Sequence, residues 1–311
     1  MRNRDPKDTD QVSDHARRRF LKRLAAGTGA AGAVAASGGA WGGNTLSDAF
    51  ADFFQQHYQR MSEAEIAETI ARIEGKAKRR YGVDITCANT PPREGVVFGY
   101  AINISKCRGY RDCVHACVEE NNLGRDTQYI RVVELDRGST DLHHADHYYK
   151  HDEVPAEGKD YLPMQCMQCD NPPCVKACPV GATWTEPDGI VVVDYDWCIG
   201  CRYCMAACPY QARHFNWATP EIPADALNPD THYLGNRPRP RGVVEKCHFC
   251  VQRTRTGRQP ACQDACPTGA RVFGNLLDPN SEIRYVLEHK AVFRLKEELG
   301  TEPKLWYFRD A

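Results

Sequence analysis

Cysteine spacing in residues 166 to 208 constrains this chain more than any other feature of its sequence. The chain has 16 cysteines, and this segment holds two runs of four: Cys166, Cys169, Cys174 and Cys178, then Cys198, Cys201, Cys204 and Cys208. The second run reads C-x2-C-x2-C-x3-C-P, and the first differs only by a wider gap between its second and third cysteines. Such spacing is typical of iron–sulfur ligation in which the fourth cysteine of a run binds the other of two clusters. The two runs therefore predict a pair of [4Fe-4S] clusters.

The residues around these cysteines predict short, compact elements. Three closely spaced thiolates wrap a loop around one cluster, and a helix such as the turn from Cys204 to Cys208 carries the fourth thiolate across. Proline after the fourth cysteine ends that helix. The sequence also predicts a β-hairpin between the two runs. Its strands are residues 182–186 and 190–194, and its turn is residues 187–189. Helices and hairpin are expected to shield the clusters from water.

An irregular third group of cysteines precedes the central pair. It contains Cys107, Cys113 and Cys117, but Tyr110 stands where a regular run has its second cysteine, and no proline follows Cys117. A phenolate can bind iron, whereas a site of this kind more often holds a three-iron cluster or no cluster. Cys87 lies outside all the runs, so it either supplies the missing thiolate or is a buried free thiol.

A fourth run follows the central pair, after a connection over 218–242 that contains five prolines. It reads C-x2-C-x11-C-x3-C-P and contains Cys247, Cys250, Cys262 and Cys266. Its ending matches the other runs, while its 11-residue insertion is rich in arginine and glycine.

The first 47 residues predict an export signal. Arg17 to Lys22 fit the twin-arginine pattern R-R-x-F-L-K, and 24 uncharged residues follow, seven of them glycine and eight alanine. That stretch could cross a bilayer by length, but its composition makes the transfer free energy poor. Since the twin-arginine route carries folded, cofactor-loaded proteins, clusters are favoured over disulfides for the 16 cysteines. Without this segment the chain carries a net charge of −5, so it has no basic excess for binding nucleic acid.

The segments outside the cysteine runs and the export signal are expected to have mainly structural roles. Residues 48–82 are expected to be helical, with a capping box at Ser62 and Glu65, Ile66, Ile70 and Ile73 on one face, and an end at Gly82. The histidines at 143, 144, 147 and 151 include pairs four residues apart, which on a helix could bind zinc, but the neighbouring Asp, Lys and Tyr residues favour a solvated loop. Residues 281–299 predict a helix, and the apolar tail 305–308 either packs on its own core or contacts a partner.

Taken together, the four runs make residues 96 to 290 resemble the four-cluster ferredoxin-like subunits of bacterial membrane redox complexes. Examples are the β subunits of dimethylsulfoxide, polysulfide and tetrathionate reductases and exported relatives in nitrite-reduction, hydrogenase and sulfite-reductase-linked complexes. The resemblance implies an α+β fold of two ferredoxin-like dicluster domains, one inserted in the other, with ββ hairpins and short helices around the clusters. The implied parts are a signal region 1–47, a helical extension 48–95, an outer domain 96–160 plus 242–290, an inserted domain 161–241 and a tail 291–311.

The resemblance also assigns ligands, because in that family the first and fourth runs in chain order pair, here 107–117 with 247–266, and the two central runs pair inside them. We name the implied sites I to IV. They contain Cys166, Cys169, Cys174 and Cys208 (site I); Cys178, Cys198, Cys201 and Cys204 (site II); Cys117, Cys247, Cys250 and Cys262 (site III); and Cys107, Cys113 and Cys266 (site IV). Sites I to III are expected to hold [4Fe-4S] clusters. Site IV, with Tyr110 in place of a ligand, is expected to hold [3Fe-4S], leaving [4Fe-4S] or no cluster as alternatives.

The function implied by the resemblance is a periplasmic electron-transfer subunit without a catalytic site. Its expected partners are a polytopic quinone-interacting membrane subunit and either a catalytic molybdopterin subunit or a multihaem cytochrome, with no nucleic acid. The alternative functions are a self-contained iron–sulfur reductase that uses the irregular site and a disulfide-stapled exported binding module. The side chains next to ligands either tune the cluster potentials or are ordinary surface charges: His115, Arg202, Arg213 and His248.

Overall fold

The structure, a computed structural model, describes residues 61–124 and 127–310. The predicted export signal and the first part of the predicted helical extension lie outside these residues. The described strands are β1 (Thr86–Ala88), β2 (Phe98–Asn103), β3 (Arg131–Asp136), β4 (Lys159–Met164), β5 (Thr183–Thr185), β6 (Val191–Val193), β7 (His214–Phe215), β8 (Asp230–His232), β9 (Val244–Glu245), β10 (Arg271–Asn275), β11 (Val292–Phe293) and β12 (Leu305–Phe308). The described α-helices are α1 (Glu63–Tyr81), α2 (Asp112–Glu120), α3 (Pro173–Lys176), α4 (Tyr203–Ala207), α5 (Val251–Thr254), α6 (Ala261–Asp264) and α7 (Glu282–His289), with 3-10 turns at Ala224–Ala226 and Glu297–Leu299.

A four-stranded sheet with the order β10-β2-β12-β11 joins distant parts of the chain. Strand β2 is buried along its whole length. It pairs antiparallel with β10, where Tyr100 faces Phe273, and parallel with β12, where Ile102 faces Tyr307. The apolar tail therefore packs on the protein's own core, because β12 is an inner strand of this sheet.

Helix α1 shows the predicted capping. The Ser62 side chain accepts from the Glu65 N–H and the Glu65 carboxylate accepts from the Ser62 N–H, which satisfies two free donors of the first turn. Gly82 ends the helix in the left-handed conformation, with φ 71°. The helix runs from the predicted capping box to the predicted end, Glu63–Tyr81, and the earlier part of the predicted helical segment lies outside the described residues. Its buried residues are Thr69, Ile73 and Ala77.

The central hairpin forms as the sequence predicted. Strands β5 and β6 pair antiparallel, with Thr183 opposite Val193, around the turn at 187–189. Strands β3 and β4 form a second antiparallel pair, and β7 pairs with β9. Helix α2 packs against α6, and α3 packs against α4. The cysteine runs at 107–117 and 247–266 therefore lie side by side, as do the two central runs at 166–178 and 198–208.

The predicted helix over 281–299 was wrong in its second half. Helix α7 ends at His289, after burying Ile283 and Val286. The chain then extends because β11 pairs with β12, where Val292 faces Phe308, and this pairing outweighs local helix propensity. Among the residues described, no helix combines the length and the apolar character that crossing a bilayer requires.

The histidine-containing segment and the connection 218–242 are irregular, as the sequence predicted. The histidines at 143, 144, 147 and 151 are all exposed in an irregular loop. The proline-rich connection 218–242 contains only a 3-10 turn and the short strand β8, which pairs parallel with β1.

Candidate iron–sulfur centres

The four cysteine runs share one backbone feature. The residue two positions after the first cysteine of each run has positive φ: Gly109 (79°), Gln168 (46°), Gly200 (70°) and Phe249 (53°). Positive φ is uncommon outside glycine, and such a turn directs successive N–H groups toward one point. At Gly200 a Cβ would lie 2.0 Å from the Gly242 carbonyl oxygen, so only glycine fits there. The irregular run therefore keeps the loop geometry of the regular ones.

The structure brings the four thiols of site I together around a small cavity. Cys166, Cys169, Cys174 and Cys208 line it with apolar neighbours and with Arg213. Burial raises the pKa of Cys169 to about 12, and the nearby Cys166, Cys174 and Cys208 sulfurs contribute to the increase.

Site II lies next to it and nearer the surface. Burial raises the pKa of Cys198, and Cys178 and Cys201 contribute as neighbours. Burial likewise raises the pKa of Cys204 to about 11, although Arg213 opposes the shift. Cys201 is exposed, whereas Cys204 and Cys178 are buried.

Site III is the most buried of the groups. Burial holds the pKa of Cys117 well above its ordinary value, and Cys250, Cys247 and Cys262 add to the shift. The Asn121 side-chain amide lies 3.5 Å from the Cys117 Sγ and 3.6 Å from the Cys250 Sγ. This buried amide supplies N–H donors to two sulfurs.

Site IV contains three thiols. Burial raises the pKa of Cys107 to about 11, with Cys113 and Cys266 among the neighbouring groups that raise it. The Ala270 N–H donates to the Cys266 Sγ at 3.3 Å. Tyr110, which replaces the expected cysteine, is 43% exposed.

Cys87 does not join site IV in this structure. It is buried on β1, which pairs with β8, and burial raises its pKa. The described side chains that act most on this pKa after burial include Arg237 and Glu74 but no cysteine. Its backbone N–H donates to the Glu74 carboxylate at 2.9 Å. The structure therefore favours the buried free thiol over the extra ligand.

Neighbouring sites are linked in a series. Gln168, in the cysteine loop of site I, donates its side-chain N–H to the Cys247 carbonyl of site III at 2.8 Å, and the Cys166 sulfur raises the pKa of Cys247. Cys113 of site IV does the same for the pKa of Cys262 in site III. Arg213 contacts the Cys174 sulfur of site I and lowers the pKa of Cys204 in site II. The order along the series is therefore II, I, III, IV.

The four side chains suggested as tuning residues divide into two groups. His115 and Arg202 are exposed, and Arg202 stacks on Trp217 with its guanidinium carbon 4.9 Å from the ring centroid. Arg213 and His248 are buried, and burial holds the pKa of His248 well below its ordinary value. Only the buried pair has the low-dielectric surroundings in which a donor or charge acts strongly on a cluster.

Sequence reasoning missed three other side chains at the sulfurs: Arg271, Asn121 and Tyr100. Arg271 donates to the Cys113 Sγ at 3.3 Å, and the Tyr100 hydroxyl lies 3.3 Å from the Cys262 Sγ. One signal could have found Arg271, since C-P-x-x-A-R occurs at 208–213 and again at 266–271.

The donor set fits iron–sulfur clusters. All 16 cysteines are free thiols, and thiolate sulfur is the ligand that iron–sulfur clusters require. Buried thiols with raised pKa values ionise when iron coordinates them. Buried donors near sites I and III have no hydrogen-bond partner among the described residues: Arg213 Nε, Arg213 Nη1 and His248 Nε2. Among the described residues, no group of three or more Cys, His, Asp or Glu side chains has the close spacing of a site for one metal ion.

Comparisons with known proteins agree with this geometry. Residues 158–238 and 231–276 match the family model described as a 4Fe-4S dicluster domain. A selenate reductase subunit of Mesobacillus selenatarsenatis is 39% identical over 235 residues, which cover 72% of this chain and 76% of the relative.

With two other relatives the aligned region covers a larger share of the relative. The menaquinone reductase iron–sulfur cluster-binding subunit of Nitratidesulfovibrio vulgaris is 38% identical over 243 residues, 68% of this chain and 88% of the relative. The arsenate respiratory reductase iron–sulfur subunit of a Shewanella species is 34% identical over 237 residues, 68% of this chain and 95% of the relative.

The match, the mixed α/β content and the thiol groups define a ferredoxin-like iron–sulfur protein. The chain belongs to the family of ferredoxin-like iron–sulfur subunits of oxidoreductase complexes, which confirms the resemblance seen in the four cysteine runs.

Proposed function

We propose that this protein is an electron-relay subunit that passes single electrons through sites II, I, III and IV and has no catalytic site of its own. The unbroken series of neighbouring thiol groups carries this proposal. A bound cluster supplies reversible one-electron chemistry at a potential set by its surroundings. The polypeptide contributes the thiols, the buried N–H donors such as Asn121, and the packing that excludes water.

In this proposal sites I, II and III each hold a [4Fe-4S] cluster through four cysteines, and site IV holds a [3Fe-4S] cluster through Cys107, Cys113 and Cys266. The exposure of Tyr110 supports three ligands at site IV, because its phenol is not enclosed with the three thiols. The packing of α2 on α6 and of α3 on α4 supports one dicluster domain inserted in another.

Metal analysis and electron paramagnetic resonance of anaerobically purified protein test the proposal. We expect about 15 iron atoms per chain if site IV holds three irons, about 16 if it holds four and about 12 if it holds none. A cubane signal that integrates to three reduced clusters, with an oxidised three-iron signal, supports the assignment. A colourless, iron-free native protein with its cysteines in disulfides overturns it.

An assay of turnover by the isolated subunit separates the relay from an enzyme. With an artificial electron donor and candidate oxyanion substrates, we expect cluster oxidation and reduction without substrate turnover. Sustained turnover by the subunit alone, lost on replacement of Cys113, indicates a reductase that uses site IV.

We further propose that the protein is exported by the twin-arginine route and works in the periplasm, bound to the membrane through partners. The Arg17 to Lys22 pattern supports the route. The relatives named as menaquinone reductase and arsenate respiratory reductase subunits support a quinone-linked partner and a catalytic partner. From the family resemblance we propose that these are a polytopic membrane subunit and a molybdopterin subunit, with a multihaem cytochrome as the alternative to the latter. Arg17→Lys with Arg18→Lys is expected to retain the protein in the cytoplasm, as measured by fractionation, and partners that co-purify with the wild type identify the complex.

A further inference from the structure

One sequence repeat follows the fourth cysteine of two different runs. Residues 208–213 and 266–271 both read C-P-x-x-A-R, so Arg213 and Arg271 occupy equivalent positions. The residue two before each arginine has positive φ, 52° at Gln211 and 60° at Gly269. Both arginines are 4% exposed. The shared turn therefore directs each guanidinium into the protein interior.

Arg213 lies between sites I and II. Its Nη2 donates to the Cys174 Sγ of site I at 3.0 Å and to the Thr183 Oγ1 at 3.0 Å. Cys204 of site II lies in the same buried cluster as Cys174 of site I, and the Arg213 guanidinium lowers the pKa of Cys204. Its Nε and Nη1 are buried and have no hydrogen-bond partner in the part of the chain that the structure describes. One cation thus contacts the sulfur of one site and influences the other.

Arg271 has the matching position between sites III and IV. Its Nη2 donates to the Cys113 Sγ of site IV at 3.3 Å, and its Nη1 donates to the Gln165 side-chain oxygen at 2.9 Å. Nη1 also lies 3.5 Å from the Tyr100 hydroxyl, which itself is 3.3 Å from the Cys262 Sγ of site III. Arg271 therefore reaches one site directly and the other through Tyr100.

Within residues 61–124 and 127–310, neither guanidinium forms an ion pair with a carboxylate. The groups that favour the charged form of these two arginines, against the cost of burial, are cysteine sulfurs and, for Arg271, Tyr100. Other buried arginines do have carboxylates: Arg237 with Asp194 and Asp196, Arg239 with Glu245, and Arg255 with Glu186 and Asp188. A buried charge without a partner is strongly unfavourable. Arg213 and Arg271 therefore require negative charge from another source.

We propose that Arg213 and Arg271 are the shared counter-cations of the two cluster pairs, Arg213 for sites I and II and Arg271 for sites III and IV. The proposal rests on the proposed clusters, whose thiolate ligands and added electron supply the missing negative charge. Each arginine raises the reduction potentials of both sites in its pair.

Redox titrations of the holoprotein, followed by electron paramagnetic resonance, test this assignment. Arg213→Met removes the charge and should shift the reduction potentials of sites I and II to more negative values. The reduction potentials of sites III and IV should stay unchanged. Arg271→Met should do the reverse. The lysine variants keep the charge but lose the two-nitrogen fork, so each should give a smaller shift than the methionine variant at the same position.

The matched control is Arg202→Met, because Arg202 follows the site II ligand Cys201 but is exposed and stacked on Trp217. We expect the potentials of this variant to equal those of the wild type. Unchanged potentials in both Arg213→Met and Arg271→Met, with full iron content, overturn the assignment, as does an equal shift at all sites.

Iron content decides the case in which a methionine variant fails to assemble. Iron loss confined to one cluster pair in the methionine variant, with retention in the lysine variant, supports a role of charge. Equal loss in both variants overturns it. Absence of iron from the wild type would instead contradict the proposed function, so the two failures are distinguishable.

Discussion

The buried ion cluster at Arg255 gives a quantitative prediction about stability. Arg255 lies just after α5, in the arginine-rich insertion of the fourth run, and its Nε donates to the Asp188 carboxylate at 2.9 Å. Its Nη2 donates to the Glu186 carboxylate at 3.2 Å and its Nη1 to the Thr90 carbonyl at 2.9 Å. Asp188 belongs to the turn of the β5–β6 hairpin. The insertion therefore holds the central hairpin against the fourth cysteine run.

Replacing Arg255 by methionine leaves two buried carboxylates without a cation. The Arg255 and Asp188 side chains are 1% and 0% exposed, so water cannot compensate. Loss of one partner of a buried pair costs about 3–5 kcal/mol. With a urea m-value of about 3 kcal/mol per M for a chain of this size, the unfolding midpoint should fall by about 1–2 M.

Anaerobic urea unfolding of the holoprotein, followed by tryptophan fluorescence, measures this shift. In a double-mutant cycle, Arg255→Met with Asp188→Asn should cost less than the sum of the two single changes, because the second change removes a carboxylate that the first left unpaired. The control is Arg284→Met, which breaks the exposed Arg284–Glu288 pair and should cost about 0.5 kcal/mol or less. A wild-type midpoint in Arg255→Met, or additive costs in the cycle, would refute the reasoning.

Three further predictions concern other parts of the molecule. Ser62→Ala should lower stability by about 1 kcal/mol in the same urea assay, because it removes the α1 capping box, while Ser62→Thr should keep most of it. The free energy of unfolding should fall as the pH drops from about 6.5 toward 4, because burial lowers the folded pKa of His232 to about 4 while the unfolded group titrates near 6.5. His232→Asn should reduce the dependence of the urea midpoint on pH across this window. An unchanged pH dependence contradicts the assignment. Cys87→Ala should retain the full iron content of the wild type, whereas Cys113→Ala should lose iron from site IV, and equal iron loss in both variants would show that Cys87 is a ligand.

Local features of the fold could be read from the sequence because their causes lie within a few residues. A cysteine loop places its thiolates by two- and three-residue spacings, a capping box by a three-residue spacing, and a tight hairpin by the turn between two short strands. The capping box and end of α1 and the β5–β6 hairpin accordingly agree with the sequence predictions. The grouping of thiols from different runs came from the family resemblance, since no local spacing connects Cys117 to Cys262.

The errors and omissions have the opposite physical origin. Helix α7 stops early because β11 pairs with β12, and β12 lies beside β2, about 200 residues away in the chain. The sequence also could not show whether Cys87 is a ligand, because that depends on the pairing of its strand β1 with the distant strand β8.

The sequence by itself determined that this chain carries thiols at the spacing of iron–sulfur ligands, because ligand spacing is a local property of the chain. Only the tertiary structure decided which buried charges face those thiols. Arginine is usually a surface residue, and Arg213, Arg255 and Arg271 become interior cations only when distant segments close over them. The energy of a buried charge depends on its long-range neighbours, and these neighbours exist only once the chain has folded.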